Sequence, residues 1–464
     1  MTLTKELTEA VWSITSKDLA DKDLEAARML LLDHIVVTAG GAAADSACAA
    51  RRWARGIGDD GSRLPLIGWK GSLAAVPAAA ANAVAAHSIE FDDVHNASSL
   101  HPGAVIFPAA MAMTSIIGSS PSDFLTAVVR GYEVMCRVGR AANAPAEYAR
   151  HFHPTATVGH LGAAATCASL LKLDQTRAVW ALGIASTMAG GTMQFLVDGS
   201  WTKRLHPALA VQNGIHAARL AAEGYLGGED GIGGSRGFLA SHSADPHPER
   251  VLADFGSRPL EIRSTSIKAH TCCRYNQGPI DAVLGLRLAH GFDARDVVAA
   301  TIGIPSVAVD IVAEPRLEKI APKSVVDAQF SLPFSVAVAL VRGRAGLSEY
   351  TEVLLDDPTI VRLMELVDYK ADREIDRFYP EEWRAWARIS LRDGSIVSAQ
   401  VDHPKGDPAN ALTRDELLAK VDELTTSCWD VGRQRRIVNS VARFGDQSSF
   451  SELIDALTIP DDAP

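Results

Sequence analysis

The chain has 464 residues, more than one ordinary core organises, so two or three folding units are expected. Its 45 basic and 56 acidic residues leave a formal charge of −11, which disfavours nucleic acid or an anionic membrane as the main partner. The opening MTLTKELTEAVWSITSKDLADKDLEAARMLLLD carries charges throughout and has no apolar core of the kind a signal or transit peptide needs.

The longest apolar tracts are broken by Pro77, Asn82 or Gly118 before they reach membrane-spanning length, so a soluble cytoplasmic protein is expected. From the start to about Phe255 the apolar residues recur at helical spacing with alanine as filler. Ser120-Pro121 reads as an N-cap followed by proline at the first helical position, and Asp174 as the cap of a helix that Gly190 and Gly191 end. Residues 207–224 form a further helix in this reading. The glycine-rich stretch 227–237, GGEDGIGGSRG, follows no strand and lacks Gly-Lys-Ser/Thr, so it is an interhelical loop and not a phosphate cradle.

After about Arg263 the pattern changes. Residues 297–304 alternate like a strand, and 387–391 with 396–401 form a hairpin across Arg392-Asp393-Gly394-Ser395; helices are expected over 325–340 and 357–367. Helical periodicity resumes after 404–408, where Thr413 and Glu416 make a capping box, and the tail is expected to pack back on the first part. The fold class is therefore mainly α. Residues 1–265 and 404–464 build a large all-helical domain from both chain ends, and 266–403 form a smaller α+β lid domain.

Chemistry gathers in three polar islands. The first, 87–108, sets His87, His95 and His101 with Glu90, Asp92 and Asp93 between alanine-rich runs, and His151, His153 and His160 follow at 151–160. Clustered histidines serve either acid–base work or a metal, for which His151 and His153 with Asp92 or Asp93 are the candidate ligands; no HExxH or similar signature is present. Read as helix, Asp92 and Asp93 point about 100° apart, so one is a support, whereas Glu90 and Asp93 share a face. The second island, Trp201 to Pro207, puts Lys203, Arg204 and His206 at a helix N-terminus, where the dipole favours an anion. The third holds Lys268, His270, Cys272, Cys273 and Arg274 at the boundary between the two parts, a place where ligands bind. Cations with titratable histidines fit a small anionic carboxylate, and no organic cofactor site is legible. The six cysteines form no CxxC pair and read as reduced thiols, with Cys273 as a competing thiolate base if Lys268 and Arg274 lower its pKa.

In this order EFDDVH with HPG at 101–103, FHPTATVGHLGAAA, TKRLHPALA, IKAHTCCR, DAQFSLPFSVA and PKGDPAN resemble the MmgE/PrpD family over nearly the full length. The resemblance implies a helical domain with an α+β lid, a homodimer, no cofactor or metal, and a lyase that dehydrates or decarboxylates a small polycarboxylate. An epimerase or isomerase of a dicarboxylate, or a non-catalytic binding protein on the same fold, are the alternatives. Carried over by residue, His101, Lys203 and His153 are the catalytic group, and Glu90, Asp93, Lys268 and Arg274 bind substrate. Glu90 replaces the usual aspartate, Val94 a threonine, Ala208 a glycine and Phe334 a tyrosine. The two lost hydroxyls imply a ligand smaller or less polar than citrate, since unpaired buried groups cost about 1 to 3 kcal/mol each.

Overall fold

Capping residues set the starts of several helices in the computed structural model, which describes residues 1–58 and 61–460. Ser120 Oγ accepts from the Asp123 amide at 3.1 Å ahead of the helix Pro121–Ala142, and Asp174 does the same for Arg177 at 2.9 Å ahead of Gln175–Ser186. Thr413 and Glu416 close the expected capping box on Arg414–Thr425. One start differs from the sequence reading. The helix expected from Pro207 begins a turn and a half earlier, at Thr202, and runs to Ala222 with Pro207 inside it. Proline has no N–H to give the carbonyl four residues back, here that of Lys203, so the helix tolerates a missing bond beside its own basic residue.

Alanine and glycine let the helices approach closely. A Cβ on Gly214 would lie 2.3 Å from Ala163 Cβ, which is how Thr202–Ala222 lies along Pro154–Leu170. These helices, with Asp21–Gly41, Ala75–His87, Gly103–Ile117 and Pro121–Ala142, share one hydrophobic core. The tail contributes to that core through Leu417, Val421, Leu424 and Leu453, and Arg414–Thr425 packs on Asp21–Gly41. No single helix among the described residues is long and apolar enough to cross a membrane.

A second core takes Phe195 and residues between Cys272 and Leu391. It covers a four-stranded sheet in which Val297–Ile304 pairs parallel with Val367–Ala371 and antiparallel with Ala385–Leu391, which continues to Ile396–Val401. The edge strand Val367–Ala371 was not expected: it is buried only at its first residue, so no alternation betrays it. The helix expected over 325–340 is two, Val325–Gln329 and Leu332–Arg342, because Ser331 caps the second by accepting from the Phe334 amide at 3.0 Å. Residues 227–237 form turns between helices, as read from the sequence.

Candidate active site

Most of the first polar island is not helical. Ala75–His87 ends at the first histidine and Gly103–Ile117 begins at the glycine of HPG, so residues 88–102 run as an irregular segment between two buried helices. It is tied down by a short antiparallel pairing of Val94 and His95 with Ser266 and Thr265. His95 belongs to that tether: its Nε2 meets Glu261 at 2.9 Å, and Glu261 is also paired with Arg140. Burial works to raise the Glu261 pKa, but His95 and the arginines overcome it and hold the carboxyl at about 2.

Glu90 has a positive φ of 54°, a conformation that costs a non-glycine residue on the order of 1 to 3 kcal/mol. What it achieves is visible. The side chain forms an ion pair with Lys203 from the first turn of Thr202–Ala222, and the Glu90 carbonyl accepts from Lys268 Nζ at 2.8 Å. The anion that the helix dipole and the cations of the second island call for is thus supplied by the protein itself. Burial pushes the Glu90 carboxyl up, yet Lys203 and Lys268, with His87 and His101, bring it down to about 2.

Asp92 and Asp93 diverge as the sequence reading required, though through loop geometry. Asp92 Oδ2 lies 2.6 Å from His87 Nδ1 and 3.3 Å from His101 Nδ1. Against the upward push of burial, these two imidazoles hold Asp92 well below the usual carboxylate range. Asp93 turns the other way. Its Oδ1 accepts from the Gly103 amide at 2.8 Å and its Oδ2 from the Tyr132 hydroxyl at 2.7 Å. A Cβ at Gly103 would lie 2.8 Å from that carboxylate, so glycine is required for the helix to begin there. Burial raises the Asp93 pKa to about 8. Expected to share a helix face with Glu90 and to bind substrate, Asp93 stands behind the wall, with both oxygens occupied by the fold.

The tautomer of His101 follows from its partners. Nδ1 is 3.0 Å from the Asp93 carbonyl, which can only accept, so Nδ1 carries the proton and Nε2 keeps its lone pair. Burial, opposed by Asp92, lowers the His101 pKa to about 4. His153, at the N-cap of Pro154–Leu170, pairs Nδ1 to Nδ1 with His206 at 3.0 Å, and burial holds both well below their ordinary range, His206 at about 3. The ring centroids of His87 and His101 are 4.8 Å apart and those of His87 and His153 5.9 Å. His87 Nε2 is buried with no hydrogen-bond partner in the described residues.

His101, His153, Glu90 and Lys203 line one wall of a small cavity of about 50 Å³. Cys273, Arg274, Tyr275, Phe330 and Trp383 line the opposite wall. Lys268 is fully buried beneath Glu90, 3.6 Å from its Oε2 and 3.7 Å from Asp92 Oδ1, and supports the wall without reaching the cavity. Arg274 does line it, with its guanidinium paired to Asp407 of the PKGDP segment and donating to Asn96 at 3.0 Å. Tyr379 stands behind, its hydroxyl 3.1 Å from that of Tyr275 and 3.2 Å from Ser99 Oγ. Burial keeps both phenols protonated. These hydroxyls answer the losses expected at Val94 and Phe334: Phe334 lies in the second core against Tyr350 and does not reach the cavity.

Two other expectations change. Burial pushes the Cys273 thiol up despite Lys203, so it is not the lowered thiolate considered from the sequence. His151 is exposed and His160 is satisfied by Ala156 O of its own helix at 2.7 Å and by Asn213 of Thr202–Ala222 at 3.0 Å, so neither joins the cluster. Among the described residues, the donors close enough to hold a metal are His87, Asp92 and His101, within 4.8 Å of one another. Both imidazoles already meet the same Asp92 oxygen, and the Lys268 ammonium beside its other oxygen opposes a second cation.

Sequence reasoning missed the floor of the site. Lys420, from the tail helix, is paired with Asp33 at 2.6 Å and donates to the carbonyls of Phe91 and Lys268, each at 3.0 Å. No local pattern marks a lysine on a solvated-looking helix as buried, and its partner is distant in sequence. His87 was noticed without a role and Asp92 only as a candidate ligand or support; Tyr379 and Trp383 gave no signal.

Residues 5–251 match the MmgE/PrpD N-terminal domain and residues 270–445 the MmgE/PrpD C-terminal domain. A cis-aconitate decarboxylase-like protein of Aspergillus oryzae is 29% identical, with 97% of this chain and 96% of the relative covered. The cis-aconitate decarboxylase of Aspergillus terreus is 25% identical over 100% of this chain and 97% of its own length. The human cis-aconitate decarboxylase is 26% identical over 83% of this chain and 80% of the relative.

Proposed function

Since the chain belongs to the MmgE/PrpD family, with both of its domains represented, we propose that it is a lyase acting on a small unsaturated polycarboxylate, with decarboxylation as its reaction. The observation that carries this reading is His101, neutral, with Nε2 free of hydrogen-bond partners among the described residues, on a cavity wall beside the Lys203–Glu90 pair. Support for decarboxylation over the alternatives comes from the relatives, which are named for that reaction on cis-aconitate.

In the proposed reaction the bond to the departing carboxylate breaks and its electron pair enters the neighbouring double bond. The double bond shifts, carbon dioxide leaves, and one proton is added at the far carbon. That proton needs a carrier. His101 is neutral in the free protein near pH 7, and a bound polyanion favours its protonated form, so substrate binding would draw a proton from solvent onto Nε2. Lys203 then faces the charge that builds on the remaining carboxylates, in a site from which water is largely excluded. Asp92 holds His101 from behind, and Arg274 with the Tyr275 hydroxyl orients the ligand from the other wall.

Incubation with cis-aconitate, citrate and 2-methylcitrate in heavy water, with EDTA present and products read by NMR, tests this. Loss of carbon dioxide with one deuterium in the product is expected. Elimination of water without loss of carbon dioxide would replace the reading with a dehydratase, and deuterium in recovered substrate alone with an epimerase. No turnover of any acid, or loss of turnover with EDTA, would overturn it. Calorimetry in buffers of different ionisation enthalpy should also show net proton uptake on ligand binding at pH 7.

A further inference from the structure

The cavity at His101 is about 50 Å³, far below the 300 to 1,000 Å³ of ordinary ligand pockets, whereas a second cavity of about 420 Å³ adjoins it. The two share Phe195, Leu196 and Phe330, and the rings of Phe195 and Phe330 stand 6.2 Å apart between them. A molecule with two or three carboxylates exceeds the inner space, which would take one or two waters at liquid density.

The cations of the inner wall are already matched. Lys203 is paired with Glu90 and Arg274 with Asp407. Lys319, in the outer cavity, differs: its half-buried ammonium donates to the carbonyl of Ile311 at 2.7 Å and has no carboxylate at ion-pair distance among the described residues. Ile311 lines the inner cavity, so this cation stands at the partition between the two spaces. The acids nearby are engaged or peripheral: Asp327 accepts from the Lys323 amide at 3.1 Å, Asp198 from the Ser200 amide at 2.9 Å, and Glu318 is exposed. Lys323 lies exposed at the outer rim.

We propose that Lys319 forms an outer carboxylate subsite, which binds the carboxylate of a polycarboxylate ligand that lies farthest from His101. This rests on the polycarboxylate reading above. It makes the ligand one that spans the partition, with one end at Lys203 and Arg274 and the other at Lys319, and with Phe195 and Phe330 turned aside to admit it. A half-buried cation without a counter-ion is incompletely compensated, and a carboxylate completes it with a charge-assisted hydrogen bond. A shorter dicarboxylate, held at the inner end, would not reach it.

The test is calorimetric titration of the full chain with tricarballylate, a saturated tricarboxylate, and with malonate as the short control. Lys319→Met should weaken tricarballylate at least tenfold and leave malonate within about twofold, while Lys319→Arg should keep tricarballylate close to the wild type. Lys319→Glu, with an unchanged thermal transition as the folding control, should weaken it further. Equal affinity of wild type and Lys319→Met for tricarballylate would overturn the subsite and leave the lyase reading standing. Failure of the wild type to bind either acid would overturn both.

Discussion

The two walls of the cavity solve different problems. On the wall from the helical core, titratable groups stand against charged or polar partners: Glu90 on Lys203, Asp92 on His87 and His101, His153 on His206. The wall from the second core is mostly neutral, with Tyr275 stacked on Trp383 at 4.2 Å, Tyr379 behind them, and one cation, Arg274, neutralised by Asp407. The first wall can move a proton because small changes in charge redistribute among groups already in contact. The second can hold and orient but has little to titrate. In the proposed reaction, acid–base chemistry and recognition would therefore fall to different parts of the chain.

Substitutions on the two walls should accordingly separate in kind. His101→Ala or Lys203→Ala should reduce kcat on the order of 10²- to 10⁴-fold, measured by steady-state decarboxylation, with the fold intact by circular dichroism. A loss under tenfold for both would erase the distinction between the walls. Beneath the first wall, Lys420→Met leaves Asp33 buried and unpaired, and should cost about 3 to 5 kcal/mol in urea unfolding monitored by tryptophan fluorescence. On the second wall, Trp383→Ala should raise KM roughly three- to tenfold with little change in kcat, since it removes a stacking surface worth about 0.5 to 1.5 kcal/mol beyond its buried area. An equal fall in kcat would place Trp383 in the chemistry.

The smallest effect sharpens the contrast between the paired aspartates. Burial raises the Asp93 pKa from 3.8 to about 8, so its contribution to stability is fully present below pH 4 and is lost as pH rises toward 8. Asp93→Asn, which cannot ionise, should be nearly neutral near pH 4 and should flatten that decline, measured as the melting temperature between pH 4 and 9. Asp92 and Glu90, both depressed, have the opposite sign. Their stabilisation is present above the ordinary carboxylate range and disappears as pH falls through their folded values, about 2 for Glu90.

How much of this was legible depends on distance along the chain. His101, His153, Lys203 and Arg274 are polar residues in apolar surroundings, a local contrast that sequence shows directly, and all four reach the cavity. Caps such as Ser120, Asp174 and Thr413 were readable because their partners lie three residues away. The start of Thr202–Ala222 was misjudged because proline usually marks a first turn, whereas here it sits in the second. The segment 88–102 was read as a polar insert between two helical runs, with helical geometry used to compare its acids; its shape comes from Lys268, Tyr132 and Lys420, which are remote in sequence. Whether a charged residue faces solvent or a buried partner is decided by such long-range contacts, so the support of the wall was hidden even where its surface was plain.

Lys420 also bears on the order in which the molecule can assemble. Its ammonium joins Asp33, Phe91 and Lys268, positions spread across nearly the entire chain, and it is the latest of them to be synthesised. Closing so long a loop is entropically costly and contributes nothing until the last contact forms. On a ribosome the helices before residue 265 can collapse early, yet the carbonyls of Phe91 and Lys268 lack their common donor until the tail helix emerges. The floor of the site is thus the last part of it that the growing chain can complete.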